Sequence, residues 1–215
     1  MSGAKERLGQ LVALAAERRW PPLARELCDL TLAWPSDYPE AMRPLVAALF
    51  ETALRHCDDE TRRELAPLVA GRRDVALCVM NVLYLDAPAP LRREILMRNE
   101  LEGGDIHEDA DADAVVMLAR KGAPDFAAAL SDAVRIPYEI AHAVLSDAGG
   151  EPLAVLCRGL ALNRATFSAI ALLRAAEPMA LDVFDTVPDR AAAWLVHGWR
   201  KGMEHRVPES IRAAE

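Results

Sequence analysis

The chain has 215 residues, and 52% of them are hydrophobic, which excludes disorder for most of its length and allows a core without disulfides. It contains 40 alanines and 29 leucines, against 15 valines, 6 isoleucines and 5 threonines. Because β-branched residues favour strands, this composition predicts an all-α protein. Nearly all of the net charge of −8 lies in residues 99–114, where seven acids stand without a lysine or arginine. The balanced flanking parts indicate no broad basic surface for nucleic acid.

Helical periodicity recurs along the chain between short turns that contain proline or glycine. Over 39–57, apolar residues repeat at i, i+3, i+4 and i+7 behind Pro39, which predicts an amphipathic helix. Asp58 stands where the next helix needs an N-cap, and Gly71 is expected to end that helix. Residues 74–86 are apolar nearly all round and predict a central, covered helix. In all, we expect roughly a dozen helices of about 10–18 residues.

Consecutive short helices with apolar faces favour an irregular α-solenoid of HEAT type, although no single repeat period fits the sequence. We expect an N-terminal helical subarray over 1–98, an acidic connector over 99–114, a C-terminal HEAT-like subarray over 115–202 and a polar tail over 203–215. The connector is expected to be mobile and to separate the two subarrays.

The N-terminus and the cysteines indicate the cellular compartment of the protein. The N-terminus reads as an amphipathic helix without an export-type cleavage site, and no apolar run approaches the ~20 residues of a membrane span. The four cysteines are scattered, which is typical neither of a disulfide framework nor of a zinc site. We therefore expect a cytoplasmic protein with no membrane partner; the cysteines are Cys28, Cys57, Cys78 and Cys157.

Two segments carry a recognisable pattern, "APAPLRREILMRNE" and "IPYEIAHAVLSDAGGEPLAVLCRGLALNRATFSAIALLR". Over about 87–176 the chain resembles a bacterial family of uncharacterised proteins with HEAT-like helical repeats. In that family a segment of the form EPL…LC(R/K)-x-L-x-L-x-R-x-x-F recurs. The resemblance implies an all-α, HEAT-like fold and implies no activity. The matching residues are Glu151, Pro152, Leu153, Leu156, Cys157, Arg158, Leu160, Leu162, Arg164 and Phe167.

Residues 150–173 have two interpretations, a DNA-reading helix-turn-helix or a packed helical hairpin. "NRATFS" resembles the start of a recognition helix, and the candidate nucleic-acid-binding residues are Asn163, Arg164 and Arg174. Against this, Ala161 occupies a turn position that usually needs glycine, where a positive φ costs ~1 kcal/mol. In addition, this segment has few arginine or lysine side chains that could contact DNA phosphates. The packed hairpin is favoured, and a DNA-binding regulator stays the alternative.

The candidate metal site and the candidate catalytic site lack the residues or the arrangement that their chemistry requires. Residues 107–114 place three aspartates at the 1-3-5 spacing of an EF-hand, but Ala114 replaces the glycine and Arg120 the bidentate glutamate. These acids are better explained as residues before a helix N-terminus. His142 and Ser146 are i, i+4 neighbours on one helix, which is not the arrangement of a catalytic triad.

The sequence therefore favours a non-enzymatic helical-repeat protein that acts as an interaction or scaffold module. A protein partner of unknown identity is expected, no cofactor or metal is expected, and nucleic acid is disfavoured. An enzyme acting on a small molecule between the repeats is a third, weaker hypothesis. The tryptophans near the two chain ends either cover the terminal hairpins or anchor an interface.

Overall fold

The computed structural model describes residues 2–122, 125–174 and 180–204, and side chains over 6–122, 125–173 and 180–201. Over these residues it contains thirteen α-helices, one 3-10 helix (Glu40–Met42) and no strand, which confirms the all-α prediction. The helices are α1 (Ser2–Ala16), α2 (Trp20–Leu32), α3 (Arg43–His56), α4 (Asp59–Val69), α5 (Leu77–Val82), α6 (Ala89–Glu102), α7 (Ala112–Lys121), α8 (Phe126–Val134), α9 (Tyr138–Ser146), α10 (Glu151–Gly159), α11 (Arg164–Arg174), α12 (Val183–Thr186) and α13 (Asp189–Glu204).

The chain divides into two compact units, an N-terminal unit (residues 1–95) and a C-terminal unit (residues 96–215). The acidic residues 99–114 thus lie inside the C-terminal unit. Residues 205–215, most of the predicted polar tail, lie outside the described residues. Among the described residues, no helix combines the length and the apolar composition needed to cross a bilayer.

The N-terminal unit is built around α2 and α3, which pack against each other. Helices α1 and α4 also contact α2, and α5 contacts α3. The predicted cap of α4 is confirmed, because Asp58 Oδ1 accepts a hydrogen bond from the Thr61 amide at 2.7 Å. The largest fully buried side chains of this unit are Leu23, Leu27, Leu30, Phe50, Leu54, Met80, Leu83, Tyr84 and Ile95.

The expected central helix over 74–86 is shorter in the structure, where α5 spans only Leu77–Val82. A turn over 83–87 follows it, and Arg62 anchors this turn by donating through Nε to Asp86 at 3.0 Å. Burial raises the pKa of Asp86, although Arg62 acts in the opposite direction. Residues 75–86 are buried or half-buried, as expected, whereas the predicted helical length is wrong, since 83–87 form a turn that the ion pair with Arg62 holds.

The C-terminal unit contains a run of helices in which each neighbour in sequence packs on the next, from α7 to α11. Helix α11 also packs on α7, and α10 packs on α12 and α13. Trp199 of α13 is buried, and Trp194 is half-buried. The surroundings of α10 make it the centre of this unit, since eight of its nine residues are buried.

Candidate functional site

The hairpin over residues 150–173 is closed by a left-handed turn. Ala161 has a φ of 54°, and its amide donates to the Arg158 carbonyl at 3.1 Å. The Leu162 amide donates to the Cys157 carbonyl at 2.9 Å. These two bonds form a Schellman motif, in which the left-handed position usually holds glycine. Ala161 was expected to disfavour such a turn, but the structure adopts it in spite of the steric cost, so the alanine does not argue against a helix-turn-helix here.

We expect the substitution Ala161→Gly to raise the free energy of unfolding by about 1 kcal/mol, since glycine adopts a positive φ without steric cost. Ala165→Gly, at an exposed position of α11, is the matched control, and it should lower stability by up to about 1 kcal/mol. Chemical denaturation monitored by circular dichroism measures both changes. Equal destabilisation by the two variants would show that the turn at Ala161 is not strained.

The structure gives the candidate DNA-reading residues other contacts. Asn163 Oδ1 accepts from the Thr166 amide at 2.9 Å, so this side chain caps α11. Arg164 Nη1 lies 2.9 Å from Asp185 Oδ2, and the Arg164 side chain is 54% exposed. The side chain of Arg174 lies outside the described residues. DNA binding through these residues stays a prediction.

Next to this turn, the C-terminal unit has a groove with a volume of about 670 Å³. Its walls come from the 103–111 loop, the end of α10, the turn after it, and α12 and α13. A volume of this size lies within the range of ligand-binding clefts. The thirteen lining residues are Asp105, Ile106, His107, Glu108, Arg158, Gly159, Ala161, Leu162, Asn163, Phe184, Asp189, Arg190 and Ala193.

The 103–111 loop is fastened to α13 at several points. Arg190 donates to the carbonyl of Gly103, and Arg200 donates through Nη2 to the carbonyl of Asp109 at 2.8 Å. Arg200 also donates through Nε to the Val134 carbonyl at 2.9 Å. Helix α13 thus supplies donors to the backbone of the segment that was expected to be a mobile connector, and the mobility of this segment stays a prediction.

Glu108 is the central anchor of this loop. One carboxylate oxygen lies 2.7 Å from His197 Nδ1, and the other accepts from Arg200 Nη1. The Glu108 side chain is only 15% exposed. Burial acts to raise the pKa of Glu108, but the hydrogen bonds from His197 and Arg200 outweigh it, so the pKa lies below its ordinary value. Glu108 is thus a charged structural residue.

Both arginines of the groove are also held in place. Arg158 Nε lies 2.6 Å from Asp189 Oδ1, and its guanidinium lies over the ring of Phe184 at 5.1 Å. Arg190 donates to the carbonyls of Gly103 and Glu100. The Glu100 carboxylate in turn accepts from the Ala191 amide at 3.1 Å near the start of α13. The groove therefore has a preorganised shape.

Close packing of α10 on α13 fixes the floor of the groove. A Cβ at Gly159 would lie 2.6 Å from the Ala192 carbonyl oxygen and 2.6 Å from Val196 Cγ2. Glycine is the residue type that permits this separation of the two helices. Gly103 has a similar role in the loop, where a Cβ would lie 2.4 Å from the Asn99 carbonyl oxygen.

Cysteines behave as small apolar residues in this fold. Cys28, Cys57 and Cys157 are buried, and all four cysteines have free thiols. Burial raises the pKa of Cys157 to about 12 and that of Cys78 to about 11. A thiol with such a pKa is almost wholly protonated at neutral pH and is a poor nucleophile.

We therefore expect no alkylation of Cys157 by iodoacetamide at pH 7.5 in the native protein, and full alkylation in guanidinium chloride. Peptide mass spectrometry at several reaction times measures both rates. An exposed cysteine introduced as Ala165→Cys is the positive control for reagent activity. Native labelling of Cys157 as fast as that of the control would contradict its burial.

Sequence reasoning missed Glu108, Arg158 and Arg190 as residues that shape a site. A partial signal was present in α13, where Arg190, His197 and Arg200 follow helical spacing and share one face. Their partners lie 87 to 92 residues away, beyond the reach of local patterns. Among the described residues, no three His, Cys, Asp or Glu side chains come together as a metal site would require.

Comparison with known proteins places the groove in a shared stretch of sequence. Residues 108–196 match DUF2336, a family described as an uncharacterised protein conserved in bacteria. The expected resemblance to an uncharacterised bacterial family is supported over residues 108–196, and its HEAT-like character stays a prediction. Ten of the thirteen groove-lining residues lie within the DUF2336 match; Asp105, Ile106 and His107 precede it. No curated protein and no solved structure matches the chain.

Proposed function

We propose that the protein is a non-enzymatic interaction module and that the groove of the C-terminal unit is where a protein partner docks. The observation that carries this proposal is the groove itself, about 670 Å³ in volume, which both apolar and polar residues line. Protein interfaces likewise combine apolar and polar groups. The apolar lining residues with side chains larger than alanine are Ile106, Leu162 and Phe184.

The charged groups near the groove support docking over catalysis. A general acid or base works best with a pKa near the operating pH. The pKa of Glu108 is instead shifted below its ordinary value, and the carboxylate is held by His197 and Arg200. Arg158 and Arg190 have structural partners as well. These contacts build a rigid wall, and rigid walls lower the entropic cost of docking.

We further propose that α7 to α11 form an irregular HEAT-like array, the type of scaffold that presents protein-binding surfaces. Packing between helices that are neighbours in sequence supports this assignment. The additional contact between α7 and α11 makes this array irregular, because the repeats of a regular solenoid contact only their neighbours. Free thiols at all four cysteines favour a reducing compartment, for which we propose the cytoplasm.

Site-specific photocrosslinking in cells that naturally make the protein tests the docking proposal. A photoreactive amino acid replaces His107, which lines the groove and is exposed. The matched control carries it at Asp132, an exposed position on α8 outside the groove. We expect a discrete, stoichiometric protein adduct from position 107 and none from 132. No adduct at 107, or the same adducts at both positions, would refute the proposal.

The alternative, a DNA-binding regulator, receives its own test in a salt titration with duplex DNA. We expect no measurable affinity at low salt, because Arg164 is paired with Asp185 and the protein carries a net charge of −8. Salt-dependent binding that Arg164→Ala abolishes would favour the regulator over the interaction module. Such a result would also give the 150–173 hairpin the role of a DNA reader.

A further inference from the structure

We infer that the groove takes a protein segment carrying lysine or arginine side chains, an inference that rests on the proposed docking function. Its basis is the distribution of charge among the lining residues. The cations are engaged within the protein, whereas two carboxylates, Asp105 and Asp189, extend into solvent at the rim.

The arginines of the groove are less accessible than its two rim carboxylates. Arg190, which is 41% exposed, donates to the carbonyls of Gly103 and Glu100 and lies 3.6 Å from Asp105. Arg158 contacts Asp189 on one side and the Phe184 ring on the other. An incoming anion would have to break these contacts or bind beside exposed carboxylates. An anionic partner is therefore disfavoured by the geometry as well as by charge.

The rim carboxylates are open to a partner. The Asp105 side chain is 89% exposed, and its nearest cation, Arg190 Nε, is 3.6 Å away. The Asp189 side chain is 75% exposed even though one oxygen contacts Arg158. Because an ionised carboxylate has about four acceptor positions, both groups retain capacity for further donors. Lysine and arginine supply such donors and the complementary charge.

The apolar lining residues fit the rest of a basic side chain. Ile106, Leu162 and Phe184 line the groove together with the charged residues. Lysine and arginine place their methylene stems along apolar surface while the charged head stays at the solvent. A segment that alternates basic and aliphatic residues would therefore contact both the apolar residues and the exposed carboxylates. Nucleic acid has no equivalent group and would set phosphates against Asp105 and Asp189.

Fluorescence anisotropy with defined probes tests this inference on the full chain. The probes are a labelled peptide of alternating arginine and leucine, the same peptide with glutamate for arginine, and a duplex DNA. We expect binding of the arginine peptide alone, weakening as salt rises. Asp105→Asn and Asp189→Asn should each weaken its affinity by about threefold, and the double variant by about tenfold.

Asp132→Asn is the matched control, because it removes one exposed carboxylate away from the groove. Its affinity should stay within about twofold of the wild type. Equal weakening by Asp132→Asn, absence of peptide binding, or comparable affinity for the glutamate peptide or DNA would overturn the inference. Crosslinking at position 107 that is insensitive to Asp105→Asn and Asp189→Asn would overturn the basic partner and leave the docking function standing.

Discussion

Replacing Gly159 by alanine is expected to destabilise the C-terminal unit by about 2–3 kcal/mol. The added Cβ would lie 2.6 Å from both the Ala192 carbonyl oxygen and Val196 Cγ2. A side chain can rotate away from such a contact, but a backbone carbonyl in α13 cannot. The two helices must therefore separate, and the surrounding buried side chains lose contacts. Differential scanning calorimetry should show the transition of this unit lowered by about 10 °C.

Gly198→Ala, in the same helix α13, is the matched control for this prediction. A Cβ at Gly198 would meet nothing within 4 Å, and alanine favours a helix interior by up to about 1 kcal/mol. We expect this variant to be as stable as the wild type or more stable. If Gly159→Ala shifted the transition no more than Gly198→Ala does, the close approach of α10 and α13 would be disproved.

Removing the charge of Glu108 is expected to have the second large effect. Glu108→Gln keeps the size of the side chain but weakens its contacts with His197 and Arg200. Hydrogen bonds that involve charged groups contribute about 1.5–3 kcal/mol, so we expect a loss of about 2 kcal/mol. Limited proteolysis should then cut within the 103–111 loop of the variant, while the wild-type loop resists.

Asp109→Asn tests whether the effect is specific to Glu108. Asp109 is an adjacent exposed acid, and it contacts Arg200 through its backbone carbonyl, which the substitution keeps. Its stability should change by less than about 0.5 kcal/mol. Rapid cleavage of the wild-type loop would instead show that this segment is mobile, as the sequence predicts.

Glu108 also predicts how stability depends on pH. Its pKa is lower in the folded protein than in the unfolded chain, so the unfolded chain binds more protons in acid. The stabilisation is fully present above the ordinary carboxyl pKa and is lost as the pH falls through the folded-state value. The difference in unfolding free energy between wild type and Glu108→Gln should therefore shrink in acid. A constant difference across that range would contradict the lowered pKa.

Local features of the fold were predictable because their causes lie within a few residues. Asp58 caps α4, as its position before the helix indicates. Ala161 is a different case, because the cost of a positive φ at an alanine was taken as an argument against a tight turn, and the structure contains that turn. Amphipathic periodicity likewise predicted an all-α protein.

The groove was not predictable, because its walls depend on which helix faces meet. In the sequence, Glu108 is one of the seven acids of residues 99–114. Its contact with His197 in the structure distinguishes it from its neighbours. In the sequence, Gly159 is typical of a residue that ends a helix. In the structure it lies against the backbone of Ala192 in another helix. These pairs are far apart along the chain, and single-sequence patterns report neighbours only.

Helix α13 has a consequence for the order of folding. It supplies the partners of Glu108 and Gly103, and it covers Gly159, yet it follows all of them in synthesis. Contacts between residues so distant in sequence form slowly, because a long loop must close first. While the chain emerges from the ribosome, the helices that precede α13 have no partner for these surfaces. We therefore expect the C-terminal unit to fold late, and chaperones to bind it before α13 is complete.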